Sequence, residues 1–424
     1  MQAFQYCNGH LYAEKIAVAD LAKKVATPFY CYSATAIQQQ FEQYRQAFAD
    51  TNALVAFALK ANSNQAVLTL LAKQGAGADV VSGGEMRRAL KAGISADKIV
   101  YSGVGKTVEE IDFALGHDIH CFNAESEPEL QQLSARAVAM GKKARVSLRI
   151  NPNVDAKTHK KIATGKSENK FGIPIAVARE VYEQAAKLPG LDVHGVDVHI
   201  GSQICELQPF EDAFSLVADF VHVLRDEGHD IRHVDVGGGL GIVYRKDNLP
   251  PPSPDEYANV VKKHFASLNV QIIMEPGRNI VGNAGILVTS VIYIKHGAGR
   301  NFVIVDAAMN DLIRPTLYDA WHDIVPIKEP NPNDEPMKAD IVGPVCETGD
   351  YMGLARYLPS PKAGDLLAVW SAGAYGAAMA STYNTRLLVP EVLVSDNHFD
   401  IVRPRISYEE LIGFDHVPEW VKNS

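Results

Sequence analysis

Residues 54–65 read LVAFALKANSNQ. An apolar run stops at a single lysine, Lys60, and the chain then turns sharply polar. A short apolar run of this kind, bounded by turn residues, reads as a strand buried on both faces. An ammonium at the last buried position is costly, so Lys60 either loses its proton or finds a partner. A neutral amine at a strand end is a nucleophile.

The same texture recurs along the chain. Working outward, VAFALK (55–60) is followed by ADVV (78–81), IVYSG (99–103), IHCFN (119–123) and RVSLRI (145–150). VHGVDVHI (193–200), HVDVGGG (233–239) and QIIMEPG (271–277) complete the series. Segments of helical period lie between them, among them GEMRRALKAG and SEPELQQLSARAVAMG. The second opens on Ser-x-x-Glu, a capping-box pattern, and ends at Gly141. Eight strand–helix repeats predict a parallel (β/α)8 barrel of the TIM type, with an open doubly wound sheet as the alternative.

After about residue 280 strands follow strands: ILVTSVIYIKH, NFVIVDAA, ADIVGPVCE and DLLAVWSAG. EVLVSDNHFDIVRP alternates on both sides of a Ser-Asp-Asn turn, and FQYCNGHLYAE carries Asn8-Gly9 between two short runs. Both are hairpin signals. The expected organisation is α/β: a barrel over 27–280, and a mainly-β C-terminal domain (281–424) completed by the N-terminal hairpin (1–26). NLPPPSPDEY (248–257) and EPNPNDEP (329–336) read as surface loops.

The 424 residues suit two domains. A net charge of -9 argues against a nucleic-acid surface. No run of membrane-span length occurs, and MQAFQYCNGH lacks an apolar core of signal-peptide length, so a cytoplasmic protein is expected. The five cysteines (Cys7, Cys31, Cys121, Cys205, Cys346) are odd in number and lack CxxC spacing. That fits a reducing compartment and no zinc ribbon, and no metal is expected.

In such barrels the chemistry sits at the C-terminal strand ends. Strand one ends in Lys60 and strand six in His199, within HIGSQ. Strand seven ends in Gly237, Gly238 and Gly239, and strand eight in Glu275, Gly277 and Arg278, within EPGR. Each has a plainer reading: a salt-bridged lysine, a core histidine, a tight turn, an exposed arginine. Together, at predicted strand ends on one face, they have a joint logic. Glycine backbone and a following helix N-terminus favour a phosphate beside strands seven and eight. Strand one lies next to strand eight once the barrel closes. A phosphorylated aldehyde that joins a lysine as an imine is pyridoxal 5'-phosphate. Glu275 would keep its ring nitrogen protonated, and His199 would stack on its face.

FALKAN, HIGSQ, GGGLG, EPGR, GPVCETGD and AGAYG, in that order over nearly the whole chain, resemble the alanine-racemase-like, fold-type III pyridoxal-phosphate decarboxylases. The resemblance implies that Lys60 carries the cofactor, His199 stacks on it, and Gly239 with EPGR lines its phosphate, Ser202 assisting. It implies that Tyr375 reaches the phosphate or the substrate. Arg278, Arg314 and Tyr318 would bind substrate, with Glu347 on the distal ammonium. Cys346 would return a proton to the α-carbon, entering from the partner subunit, which makes a homodimer with shared sites. The plainer readings are a buried apolar Cys346, Arg314 and Tyr318 sharing one helix face, and a core Tyr375. The implied reaction is decarboxylation of meso-2,6-diaminopimelate to L-lysine, the last step of lysine biosynthesis. A relative acting on ornithine, arginine or lysine is the alternative. The polar stretch 158–172 is long for a βα loop and suggests a lid.

Overall fold

The computed structural model describes residues 3–156, 158, 164, 169–331 and 333–422. Most of the expected lid, 159–163 and 165–168, lies outside the described residues. The chain divides into two compact units, residues 34–284 and residues 1–33 with 285–424.

The first unit contains β1 (Ala53–Ala58), β2 (Gly77–Val80), β3 (Ile99–Tyr101) and β4 (Cys121–Ala124). It continues with β5 (Ala144–Asn151), β6 (Leu191–Asp197), β7 (His233–Asp235) and β8 (Gln271–Met274). All neighbours are parallel, β8 pairs with β1, and β4 pairs with β5, so the sheet closes into a barrel. Every one of the eight runs read from the sequence is a barrel strand. Burial on both faces is what makes parallel strands legible as near-continuous apolar runs.

Helices occupy the connections, and their starts have visible causes. Thr107 and Ser253 make full capping boxes with Glu110 and Glu256. Ser126 caps helix Glu127–Ala139 by accepting the Glu129 N–H, but the reciprocal half of the expected box is not formed. The Glu129 carboxylate instead takes the buried Lys106 ammonium at 2.6 Å and the Glu125 N–H at 2.9 Å. A buried cation outcompetes a capping amide. That helix ends at Gly141, with φ +66°.

The second unit is mainly β. Strands 351–359, 336–342, 300–305, 285–297, 29–33, 391–395 and 398–403 follow one another across a sheet, with 366–369 and 324–326 branching beside 285–297. Phe29–Ser33 pairs with 285–288 on one side and 391–394 on the other, so the unit boundary falls at 33/34 rather than at 26/27. The two expected hairpins form. Ser395 faces His398 across a two-residue turn, and Cys7 faces His10 across Asn8 (φ +49°) and Gly9 (φ +77°). Phe4 and Leu11 of the N-terminal hairpin join Val18, Leu21, Phe29, Ile286, Val392 and Val394 in one apolar cluster. Strand 351–359 escapes the sequence pattern because its pairing is bulged and Ala355 has φ +53°. Among the described residues, no helix is long and apolar enough to cross a membrane.

Candidate active site

The chain leaves β1 at Ala58 and makes one 3-10 turn, Leu59–Ala61, which carries Lys60. Lys60 Nζ lies 2.6 Å from Asp79 Oδ2, with the Asp79 side chain fully buried on β2 and the Lys60 side chain about one-third exposed (32%). The costly ammonium of the sequence reading therefore has a carboxylate, supplied by the next strand. Ala58 N–H donates to Pro276 O, and a Cβ placed on Gly277 would sit 3.0 Å from both the Ala58 and Ala61 Cβ atoms. The lysine turn thus packs directly on EPGR.

The carboxylates of Asp197 (β6), Asp235 (β7) and Glu275 (after β8) offer oxygens within 4.8 Å of one another, all buried. Burial pushes the Glu275 carboxyl well above its ordinary range, and the charges of Asp235 and Asp79 push it further. Burial, then Asp197, pushes Asp235 up to about 8. Asp197 is raised by burial and then by Glu275. Asn123 Nδ2 donates to Asp235 Oδ2 at 3.1 Å, and Ser102 Oγ donates to Glu275 Oε1 at 3.2 Å. Arg149 pairs with Glu125 at 2.9 Å and approaches Asp197 at 3.9 Å. Asp79, Glu125, Asp197, Asp235 and Glu275 thus share this end of the barrel with Lys60 and Arg149. Among the described residues, Asp197 Oδ1 and Asp79 Oδ1 are buried without a hydrogen-bond partner. A group that brings a cation to Glu275 fits this surplus of negative charge.

His199 accepts the Gly238 N–H on Nδ1 at 3.1 Å. Burial, with Arg149 and Lys60 nearby, pushes its pKa well below the usual imidazole range, so it offers a neutral ring face. The glycine run has a steric cause: a Cβ on Gly238 would meet Glu275 O at 2.3 Å, and one on Gly239 would meet Gly201 O at 2.5 Å. Only bare backbone passes here. The Gly238 amide is committed to His199. Among the described residues the amides of Gly239 and Gly277 donate to no protein acceptor. The buried Arg278 donates to Ser202 Oγ at 2.9 Å and to the Tyr244 hydroxyl at 2.5 Å. The residues present therefore fit a phosphorylated aldehyde with a basic ring nitrogen.

The remaining expected residues belong to the β-rich unit. Arg314 and Tyr318 share the short helix Arg314–Tyr318. Thr316, on the same helix, donates to Gly349 O at 2.5 Å, and Asp350 accepts Met309 and Val345 N–H groups at 2.6 Å each. These bonds brace the loop carrying Cys346 and Glu347, both exposed, with the Cys346 amide on Asn384 Oδ1. The Cys346 thiol is free and exposed, and its exposure sets it apart from the buried apolar residue of its plainer reading. Glu347, hydrogen-bonded to Tyr383, pushes that phenol's pKa up. Tyr375 is half-buried at φ +55°, an unusual conformation for a non-glycine residue.

The sequence reading missed Asp79, Ser102, Asn123, Arg149, Asp197, Asp235 and Tyr244. A signal for most was present: a polar side chain inside an otherwise apolar parallel strand, as in ADVV, RVSLRIN and HVDV, must point somewhere specific.

Residues 34–282 match the family described as pyridoxal-dependent decarboxylase, pyridoxal binding domain. A diaminopimelate decarboxylase of Zymomonas mobilis is 47% identical over 99% of this chain and 100% of its own length. One of Vibrio cholerae is 49% identical over 98% and 99%. Among solved structures, diaminopimelate decarboxylase of M. jannaschii in complex with L-lysine superposes with a TM-score of 0.94, at 38% identity over 99% of both chains. The Helicobacter pylori enzyme with L-lysine gives 0.89, at 43% identity over 94% of this chain and 98% of that one.

Proposed function

The chain belongs to the diaminopimelate decarboxylases of the pyridoxal-dependent decarboxylase family, and from that premise we propose how its residues divide the work. It uses pyridoxal 5'-phosphate to decarboxylate meso-2,6-diaminopimelate to L-lysine and carbon dioxide, the last step of lysine biosynthesis. When bound, the cofactor supplies an aldehyde and a ring that withdraws electrons from the bond to be broken.

Lys60 is the amine that holds the aldehyde, and Asp79 keeps that amine in the barrel mouth through the 2.6 Å contact. Glu275 holds a proton at the ring nitrogen, a task suited to a carboxyl whose own proton affinity is raised by its neighbours. His199 lies against the ring as a neutral surface. The amides of Gly239 and Gly277, with Ser202, receive the phosphate, and Tyr375 serves the phosphate or the substrate. The substrate has an amino acid at each end, so the end that does not react must be clamped. Arg278 and Arg314 take carboxylate, which a planar guanidinium binds through two hydrogen bonds. Tyr318 assists, and Glu347 takes the distal ammonium.

Cys346 Sγ delivers the proton to the α-carbon once carbon dioxide has left. We place Cys346 and Glu347 in the partner's site of a homodimer, a reading supported by their exposure on a well-braced loop. A cytoplasmic location is supported by five cysteines that are all free.

The observation that carries this division is the joint packing of the Lys60 turn, Gly277 and the Gly238–Glu275 contact at one end of one barrel. The test offers the purified protein with pyridoxal phosphate meso-diaminopimelate, L-ornithine and L-lysine side by side. Carbon dioxide and L-lysine should form from the first alone. Mixing inactive Lys60→Ala and Cys346→Ala chains should restore activity in mixed dimers; failure to do so overturns the shared site.

A further inference from the structure

Arg314 stands on the first turn of its helix and is 6% exposed. The helix ends at Asp319, whose φ of +51° turns the chain back, and His322 returns beneath the arginine. His322 Nε2 lies 2.7 Å from Arg314 Nη1, and its Nδ1 lies 2.7 Å from Trp370 O. The ring is fully buried. A carbonyl only accepts, so the imidazole proton sits on Nδ1 and the Nε2 lone pair faces the guanidinium. Trp370 N–H in turn donates to Asp323 O at 2.8 Å, and Ile324 pairs with Val369. The imidazole is therefore fixed by the sheet on one side and aims the arginine on the other.

The choice of a neutral acceptor has a consequence. An aspartate at this place would aim the guanidinium equally well but would cancel its charge. A neutral imidazole takes one guanidinium N–H and leaves the positive charge intact for an anion.

We propose that His322 is a positioning residue that orients Arg314 for the substrate's non-reacting carboxylate without neutralising it, and so helps set specificity for a two-ended substrate. This rests on the reading of Arg314 as a carboxylate ligand. The L-lysine product keeps the carboxylate that the substrate does not lose, so His322 governs product affinity as well as substrate affinity.

The test uses the holoenzyme and the variants His322→Leu, His322→Gln and Arg314→Ala. His322→Leu should raise KM for meso-diaminopimelate and the inhibition constant of L-lysine in parallel, by about tenfold, with kcat within about twofold. Cofactor absorbance should be unchanged. His322→Gln, whose amide oxygen also accepts, should recover most of the loss. If Arg314→Ala raises both constants and His322→Leu moves neither, the proposal is overturned. It is also overturned if His322→Leu and His322→Gln lose kcat and cofactor absorbance together, which marks a packing role. If Arg314→Ala itself leaves both constants unmoved, the carboxylate reading of Arg314 falls, and the proposal with it.

Discussion

The two ends of the barrel both bury titratable groups, and they treat them in opposite ways. At the C-terminal ends of the strands lie Asp79, Asp197, Asp235 and Glu275, with too few nearby cations, and burial raises the last three. At the other end His120 and His194 each pack against His233, tilted and edge-on, with ring centroids 5.5 and 5.1 Å apart. Burial lowers the pKa of all three imidazoles. His233 Nε2 is 2.5 Å from Ser147 Oγ, and Gly195 lacks a side chain where a Cβ would meet that nitrogen at 2.1 Å. One end is an unbalanced charge set that a cationic ligand completes. The other is a closed, neutral plug. The contrast is the usual division of labour in this architecture, stability below and chemistry above.

Four measurements break or sharpen the contrast. The largest effect belongs to Lys60→Ala, which should lower kcat on the order of 10^3-fold or more and remove the visible cofactor band. Retention of both would take Lys60 out of its role. Glu275→Gln should cost on the order of a hundredfold or more in kcat without lowering Tm, because it removes one of several crowded carboxylates. A drop in Tm comparable to that of a core mutation would show the carboxylates to be structural. Gly195→Ala, at the plug, should do the reverse: it forces apart His233 and Ser147, at about 1–3 kcal/mol, with kcat of the folded enzyme unchanged.

The smallest effect is in the pH dependence. A carboxyl raised on folding adds stability that is complete below its unfolded pKa of about 4 and is lost as pH rises through its folded value. For Asp235 that window closes near 8. The imidazoles, lowered on folding, add stability that is complete above about 6.5 and is lost as pH falls. Cofactor binding should therefore raise Tm more at pH 8 than at pH 6, and should leave the acid-side loss unaltered. Equal gains at the two pH values would disconnect the cofactor from the charge surplus.

Much of this molecule could be read in advance where burial speaks locally. LVAFAL and VSLRI show as strands because both faces are covered, and Asn8-Gly9 shows as a turn because both residues need positive φ. The placing of Lys60, Gly239, Glu275 and Gly277 on one face followed from counting strands. The contacts among them were harder. Glu129 looked like the second half of a capping box, but it serves Lys106, twenty-three residues back. Lys60 gave no hint that its partner would be Asp79. Gly195 makes room for an imidazole from the neighbouring strand, a contact between residues 38 apart in the chain.

Periodicity and strand-end residues were enough for the barrel, the β-rich second unit and the cofactor, because each is carried by residues close in the chain or by patterns of burial that repeat, and the reaction followed from the family resemblance. The raised proton affinity of Glu275, the tautomer of His322, the commitment of the Gly238 amide to His199 and the partner of Lys60 emerged only once the strands had closed on one another. Electrostatic and hydrogen-bond partners act across a few ångströms of space, and that distance has no fixed counterpart along the sequence.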